Sequence, residues 1–315
     1  ALEHLGERLG ISEGVTGSLF AAVGTALPET VVPLVALIGL SATPAGAEIA
    51  AGAILGAPLM LSTLSICLMG LSVVFSRGLR GALTPEMTGL TRDLNTFLLA
   101  FGLAVAALWV PPDWQGVRST LVVLLVLIYF FYILLTIRAS APLVLEGHGT
   151  EAHHALFLSR LGLPDRWGTI LLQLLMGLGL LVSGAQGFVQ ALAAGAGALG
   201  LSTLVLALLI VPIATELPEK VNSILWIRRG KDTLAFGNIT GAMVFQGTLL
   251  PAIGIAFTTW EPRPAIMTGL FVTLLAAIWL RVLVARRRLR LWHLLFNGGL
   301  YLGYLVLALQ SLSEI

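Results

Sequence analysis

Long apolar stretches alternate with short charged clusters along this chain. No charged residue falls between Asp93 and Asp113, between Arg118 and Arg138, or between Asp232 and Glu261, and the run from Arg166 to Glu216 is uncharged throughout. A helix rises about 1.5 Å per residue, so about 20 residues cross a hydrocarbon layer roughly 30 Å thick. The longest run therefore has room for two crossings. None of the runs shows the apolar–polar alternation that a closed β-barrel needs. The pattern predicts nine helical spans, at roughly 15–40, 47–76, 93–111, 118–138, 167–194, 199–227, 233–258, 264–284 and 291–312. The fold class is all-α, a polytopic transmembrane helical bundle.

Composition agrees with that class. The 315 residues are 57% hydrophobic and 11% charged, far too little charge for the surface of a soluble domain. The lone Cys67 excludes an intrachain disulfide framework and a cysteine metal site. A net charge of +2 does not suggest nucleic acid as a partner, because the basic residues mark loops rather than a stripe. The expected partners are the lipid bilayer and small cations.

The loops sort by charge. One set holds Arg8, Arg77, Arg80, Arg92, Arg138, Arg160, Arg166, Arg228, Arg229, Lys231, Arg286, Arg287, Arg288 and Arg290, the other only Arg118 and Arg263. The positive-inside rule makes the first set cytoplasmic and leaves the C-terminus outside. The single long connection, 139–166, is then cytoplasmic. It carries His148, His153 and His154 beside Glu146 and Glu151. Such a cluster suits a transition metal, but spacing alone is weak support for a site, and a solvated hinge with a short helix is the expected reading.

The chain also repeats itself. Leu9-Gly10-Ile11-Ser12 returns as Leu199-Gly200-Leu201-Ser202, and Thr25-Ala26-Leu27-Pro28-Glu29 returns as Thr215-Glu216-Leu217-Pro218-Glu219, both at an offset of 190. Gly52-Ala53-Ile54-Leu55-Gly56-Ala57 matches Gly237-Asn238-Ile239-Thr240-Gly241-Ala242. The second copy has five spans and the first shows four, with residues 1–10 reading as the end of a further helix truncated at the start. The expected halves are 1–138 and 167–315, two five-helix repeats joined by the linker 139–166. An odd number of spans per copy inverts one relative to the other, the plan of secondary transporters with ion sites near the midplane.

Each Leu-Pro-Glu falls inside a predicted span. Proline removes a helical hydrogen bond and disturbs the preceding turn, which bears Thr25 in one copy and Thr215 in the other, so their carbonyls become available to an ion. Glu29 and Glu219 add carboxylates, and Glu216 a third. A charged carboxylate at the bilayer centre costs about 2.5–3.5 kcal/mol on the lenient scale, so each requires a partner, a proton or a wet cavity. An all-oxygen site of this kind suits a hard cation such as Ca²⁺. The glycines Gly52, Gly56, Gly237 and Gly241 allow neighbouring helices to approach the breaks.

These motifs resemble the α-repeats of the cation/calcium exchanger superfamily, most closely its prokaryotic sodium/calcium exchanger membrane region. The first reads Gly24-Thr25-Ala26-Leu27-Pro28-Glu29 and the second Ala214-Thr215-Glu216-Leu217-Pro218-Glu219, followed by the glycine helices at Gly52–Leu61 and Gly237–Gln246. The resemblance implies ten helices and alternating-access antiport of a divalent cation, most simply Ca²⁺ against Na⁺ or H⁺, with no cofactor. It carries the two calcium-binding glutamates onto Glu29 and Glu219 and the threonine ligands onto Thr25 and Thr215. Other family ligands are replaced, by Ala26, Glu216, Ala57, Ala242, Leu61 and Gln246. Those changes remove oxygens expected around sodium, so the divalent site is the better supported part, and Gln246 joins Glu216 as a candidate cation ligand.

Glu216 and Lys220 are spaced i,i+4 with the acid first, the favourable order for a helical ion pair. Lys220 is a candidate tethered cation, standing where a sodium ion binds in relatives. The alternative is that it snorkels to the membrane surface. A diverged exchanger using protons alone, or another cation, is the second functional reading. An intramembrane lipid-processing enzyme is a third, but no Ser/His/Asp arrangement is evident, so no enzymatic activity is expected. The expected location is a prokaryotic inner membrane, since no eukaryotic targeting signal is visible.

Overall fold

The computed structural model describes residues 2–11, 27–39, 44–139, 155–287 and 289–313. Its elements are α1 (Leu2–Arg8), α2 (Leu27–Gly39), α3 (Pro44–Arg77), α4 (Met87–Ala106), α5 (Gln115–Arg138), α6 (Phe157–Arg160), α7 (Trp167–Leu199), α8 (Thr203–Thr215), α9 (Leu217–Arg228), α10 (Asp232–Phe257), α11 (Pro264–Ala285) and α12 (Leu291–Ser313). Seven of these, α3, α4, α5, α7, α10, α11 and α12, are apolar over a membrane-spanning length, and α2 and α8 are shorter apolar helices. The protein is an all-helical, multi-pass membrane bundle.

Element order follows the repeat. In both halves a short helix at the Leu-Pro-Glu precedes a long glycine-containing helix (α3 or α10) and two further spans. The Leu-Gly element has one conformation in both copies: Gly10 has φ +62° and Gly200 φ +65°. At the second copy this left-handed residue ends α7, with the Leu201 N–H reaching back to the Ala196 carbonyl at 3.0 Å. Ser202 then caps α8 by accepting from the Val205 N–H. A small motif found by matching letters is therefore a helix stop followed by a helix start.

Two long helices, α3 and α10, form the centre. α3 packs against α8, α2 and α12, and α10 against α4, α5 and α9. Burial runs almost the whole length of α10, including Asn238, Thr240, Gln246 and Thr248. A helix apolar all round and enclosed on every side is a core helix rather than a lipid-facing one. By contrast α5 and α7 expose Phe130, Phe131, Leu175 and Leu180, the signature of contact with lipid chains.

Two predicted boundaries shift, and one helix is interrupted. The span expected from 93 starts at Met87, because Glu86 caps the helix by accepting from the Thr88 and Gly89 N–H groups (2.5 and 2.7 Å). Asp93 lies inside the protein instead of marking a membrane edge, and accepts from Tyr132 (3.0 Å) and Thr240 (2.7 Å). The span expected from 199 begins at Thr203, since Gly200 and Ser202 form the turn described above. Finally, α3 is interrupted by a π-helical turn at Leu61–Ser65.

Candidate cation-binding site

Pro218 stands in the first turn of α9 and has no N–H to donate, so the chain cannot run on as one helix. α8 ends at Thr215, Glu216 lies between the helices, and α9 starts at Leu217. Pro212 within α8 removes a second bond, from the Leu208 carbonyl. That carbonyl lies where α8 comes closest to α3: a Cβ added to Gly56 would be 2.7 Å from it and 2.6 Å from Pro212 Cγ. Gly52 similarly meets Ala207. The two glycines thus bring the broken segment of one half against the central helix of the other.

Glu29 and Glu219 both occupy the first turn of a helix, α2 and α9 respectively. Amide groups there point along the axis and favour negative charge. Glu216, at the break, approaches the same place: one carboxylate oxygen from each of Glu29, Glu216 and Glu219 lies within 4.8 Å of the others. All three residues are buried, at 1%, 0% and 0% exposure. Both oxygens of Glu29 and Oε2 of Glu216 accept no hydrogen bond among the described residues. Carboxylate acceptors concentrated in this way suit a cation.

Gln246 reaches the cluster from α10. Its Nε2 donates to Glu216 Oε1 at 2.8 Å, while its own Oε1 is buried with no donor among the described residues. The amide therefore fixes one carboxylate and offers a neutral oxygen. Thr215 is buried, and its hydroxyl donates to the Val211 carbonyl at 3.0 Å. Thr25 and Ala26 lie outside the described residues, as do His148, His153 and His154.

Lys220 departs from the expected pairing. Its Nζ donates to the Pro212 carbonyl at 3.3 Å rather than to the Glu216 carboxylate. The main-chain i,i+4 bond survives, with the Lys220 N–H donating to the Glu216 carbonyl at 3.1 Å, so it is the side chain alone that turns away, back toward the end of α8. Lys220 is only 6% exposed, so its ammonium does not snorkel to the surface.

Two supporting residues were not assigned roles from sequence. Asn238 of α10 donates from Nδ2 to the Glu219 carbonyl (3.1 Å) and to Ser223 Oγ (3.0 Å), and Ser223 donates to the Ala235 carbonyl (3.2 Å). This lattice ties the first turns of α9 to α10 and holds the main chain of Glu219. Asn238 was visible as the Gly-Asn of the second repeat, and Ser223 as the residue one turn beyond Glu219.

A membrane bundle with a broken helix and three buried carboxylates converging at the break defines an ion-transporting membrane protein. Residues 1–138 and 169–310 match the family described as sodium/calcium exchanger protein, and the chain belongs to that family. It is accordingly a cation exchanger of the membrane and not an enzyme. Inner membrane protein YrbG of Escherichia coli (strain K12) is 27% identical over 281 residues, 88% of this chain and 80% of that protein. A protein of Alkalimonas amylolytica named "Putative antiporter CaxA" is 38% identical over 82 residues, and the matched stretch spans 25% of its length. Among solved structures, the sodium-calcium exchanger NCX_Mj soaked with Na⁺ and Sr²⁺ aligns at a TM-score of 0.65 with 18% identity, covering 97% of this chain and 90% of that one. A Ca²⁺-soaked form aligns at 0.65 with 19% identity. These likenesses establish the shared fold.

Proposed function

We propose that this protein moves a divalent cation, Ca²⁺ in the simplest case, across the membrane in exchange for Na⁺ or H⁺ by alternating access to the Glu29–Glu216–Glu219 cluster. The observation that carries the reading is charge. Counted in their ionised forms, the three buried carboxylates and the buried ammonium of Lys220 carry a formal −2, which one divalent cation would neutralise. Buried charge without a counter-charge is costly at this depth, so a carboxylate cluster of this kind favours a divalent ion. Carboxylate, amide and main-chain oxygens are also the ligands that Ca²⁺ accepts in flexible geometry.

Glu29, Glu219 and Glu216 act as charged ligands, Gln246 as a neutral one, and Thr25 and Thr215 through their carbonyls. The two halves, 1–138 and 167–315, rock against each other about this point. The arginine-rich ends face the cytoplasm of a prokaryotic cell, with the protein in its inner membrane and the C-terminus outside. Uptake of radiolabelled Ca²⁺ into proteoliposomes under an imposed Na⁺ or H⁺ gradient tests the reading. Flux driven by one of the gradients, and lost in both Glu29→Gln and Glu219→Gln, is the expected result. Uptake that survives both substitutions rejects the site.

A further inference from the structure

The position of Lys220 has a consequence for the coupling ion. Its repeat counterpart, 190 residues earlier, is Thr30, which carries no charge. The ammonium is buried at 6% exposure, adjoins Glu219 in sequence, and is anchored at 3.3 Å on the Pro212 carbonyl, one of the last carbonyls of α8. That carbonyl also accepts the Glu216 N–H at 3.2 Å. C-terminal carbonyls of a broken half-helix carry partial negative charge and are a preferred seat for monovalent cations in transporters of this plan. Here a covalently attached cation fills the seat.

We propose that the Lys220 ammonium is a built-in monovalent cation of the transport site, and that the protein therefore exchanges its divalent ion without binding sodium. The inference rests on the divalent reading above and extends it to the coupling ion. Electrostatics supports it. With the ammonium counted against the three carboxylates, a formal −2 is left on oxygens within 4.8 Å of one another, and one divalent ion balances it. A sodium ion added beside that ion would leave the buried site with excess positive charge and a close like-charged neighbour, each costly at low dielectric. Gln246 reinforces the bias: one of its amide hydrogens is spent on Glu216, and its buried Oε1 is neutral, adding a ligand without adding a site for another charge.

Binding of ⁴⁵Ca²⁺ to the purified full chain in detergent, at constant ionic strength set with sodium or choline chloride, tests this. In the wild type the two salts should give the same midpoint. Lys220→Met removes the fixed charge while keeping the length of the side chain, and sodium should then weaken Ca²⁺ binding by about tenfold or more. Lys220→Arg keeps the charge and should remain insensitive to sodium. Sodium competition in a wild type that binds Ca²⁺ overturns this inference alone, and that arm decides the matter even if Lys220→Met does not fold. Equal insensitivity of wild type and a folded Lys220→Met also overturns it, because the fixed charge is then irrelevant. A wild type that binds no Ca²⁺, or binds it as well after Glu29→Gln, overturns the divalent reading and this one with it.

Discussion

Gln246 of α10 donates its side-chain amide to Glu216 Oε1 at 2.8 Å, joining the centre of the most enclosed helix to the point where the α8–α9 span breaks. Among the described residues Glu216 Oε1 has no charged donor, so the amide fixes which way its carboxylate faces. Replacing Gln246 by leucine keeps the volume roughly constant and removes both the donor and the free Oε1. The expected result is a loss of divalent affinity of about tenfold, equivalent to ~1.4 kcal/mol, with the protein still folded. Ca²⁺ titration of the purified variant checks this, and an unchanged midpoint would show that Gln246 is only packing.

The close approach of α3 and α8 depends on the absence of a side chain at Gly56. An added Cβ meets the Leu208 carbonyl and the Pro212 ring, backbone and fixed ring atoms that cannot swing aside. Gly56→Ala should therefore cost about 1–3 kcal/mol of stability and sharply reduce exchange, because the moved helix carries Glu216 at its end. Gly102 in α4 has nothing within 4 Å of its would-be Cβ, so Gly102→Ala should be neutral or slightly stabilising. Thermal unfolding of the two variants in the same detergent makes the comparison, and equal losses would remove the steric argument.

Arg77 at the end of α3 and Asp232 at the start of α10 form a two-pronged ion pair, at 3.0 and 2.6 Å. Arg77 also donates to the carbonyls of Ile227 and Ala82, and Asp232 accepts the Thr84 N–H at 2.9 Å. The charges complement the dipoles of both helix ends. Removing either partner strands the other in a partly dry site, so Arg77→Ala and Asp232→Ala should each cost about 2–3 kcal/mol. The double variant should cost clearly less than their sum. The Arg8–Asp165 pair, with side chains 34% and 47% exposed, offers the contrast: Asp165→Ala should change stability by under about 1 kcal/mol.

Much of this arrangement was legible in the sequence because it rests on strong local rules. Charge-free runs located the spans, and proline beside glutamate located the break, since a missing N–H acts wherever the chain goes. The internal offset pointed Glu29 and Glu219 toward one another before any coordinates did. What stayed hidden depends on tertiary packing. Asp93 looked like a membrane boundary because its partners, Tyr132 and Thr240, come from α5 and α10. Lys220 looked like the ion-pair partner of Glu216 because spacing fixes the main-chain turn but not where a long side chain finds its acceptor, here the Pro212 carbonyl. The π turn at Leu61–Ser65 had no signal at all in residue type.

That π turn yields the last expectation. A π turn disturbs the regular ladder of a helix, and here the Ser62 carbonyl accepts from Asn297 Nδ2 of α12 at 2.7 Å. Thr63 and Ser62 turn their hydroxyls back to the Leu59 carbonyl, at 2.5 and 3.2 Å. Asn297 is 1% exposed, so no water replaces its amide if it is lost. Asn297→Leu should therefore destabilise the protein by about 1–2 kcal/mol, the scale of an interhelical hydrogen bond in a membrane. Ser62→Ala should have a much smaller effect, because the bond from α12 goes to the main chain and survives the change. Unfolding midpoints of the two variants separate the cases. If Ser62→Ala proved as damaging as Asn297→Leu, the side-chain hydroxyl rather than the captured carbonyl would be what holds α3 to α12.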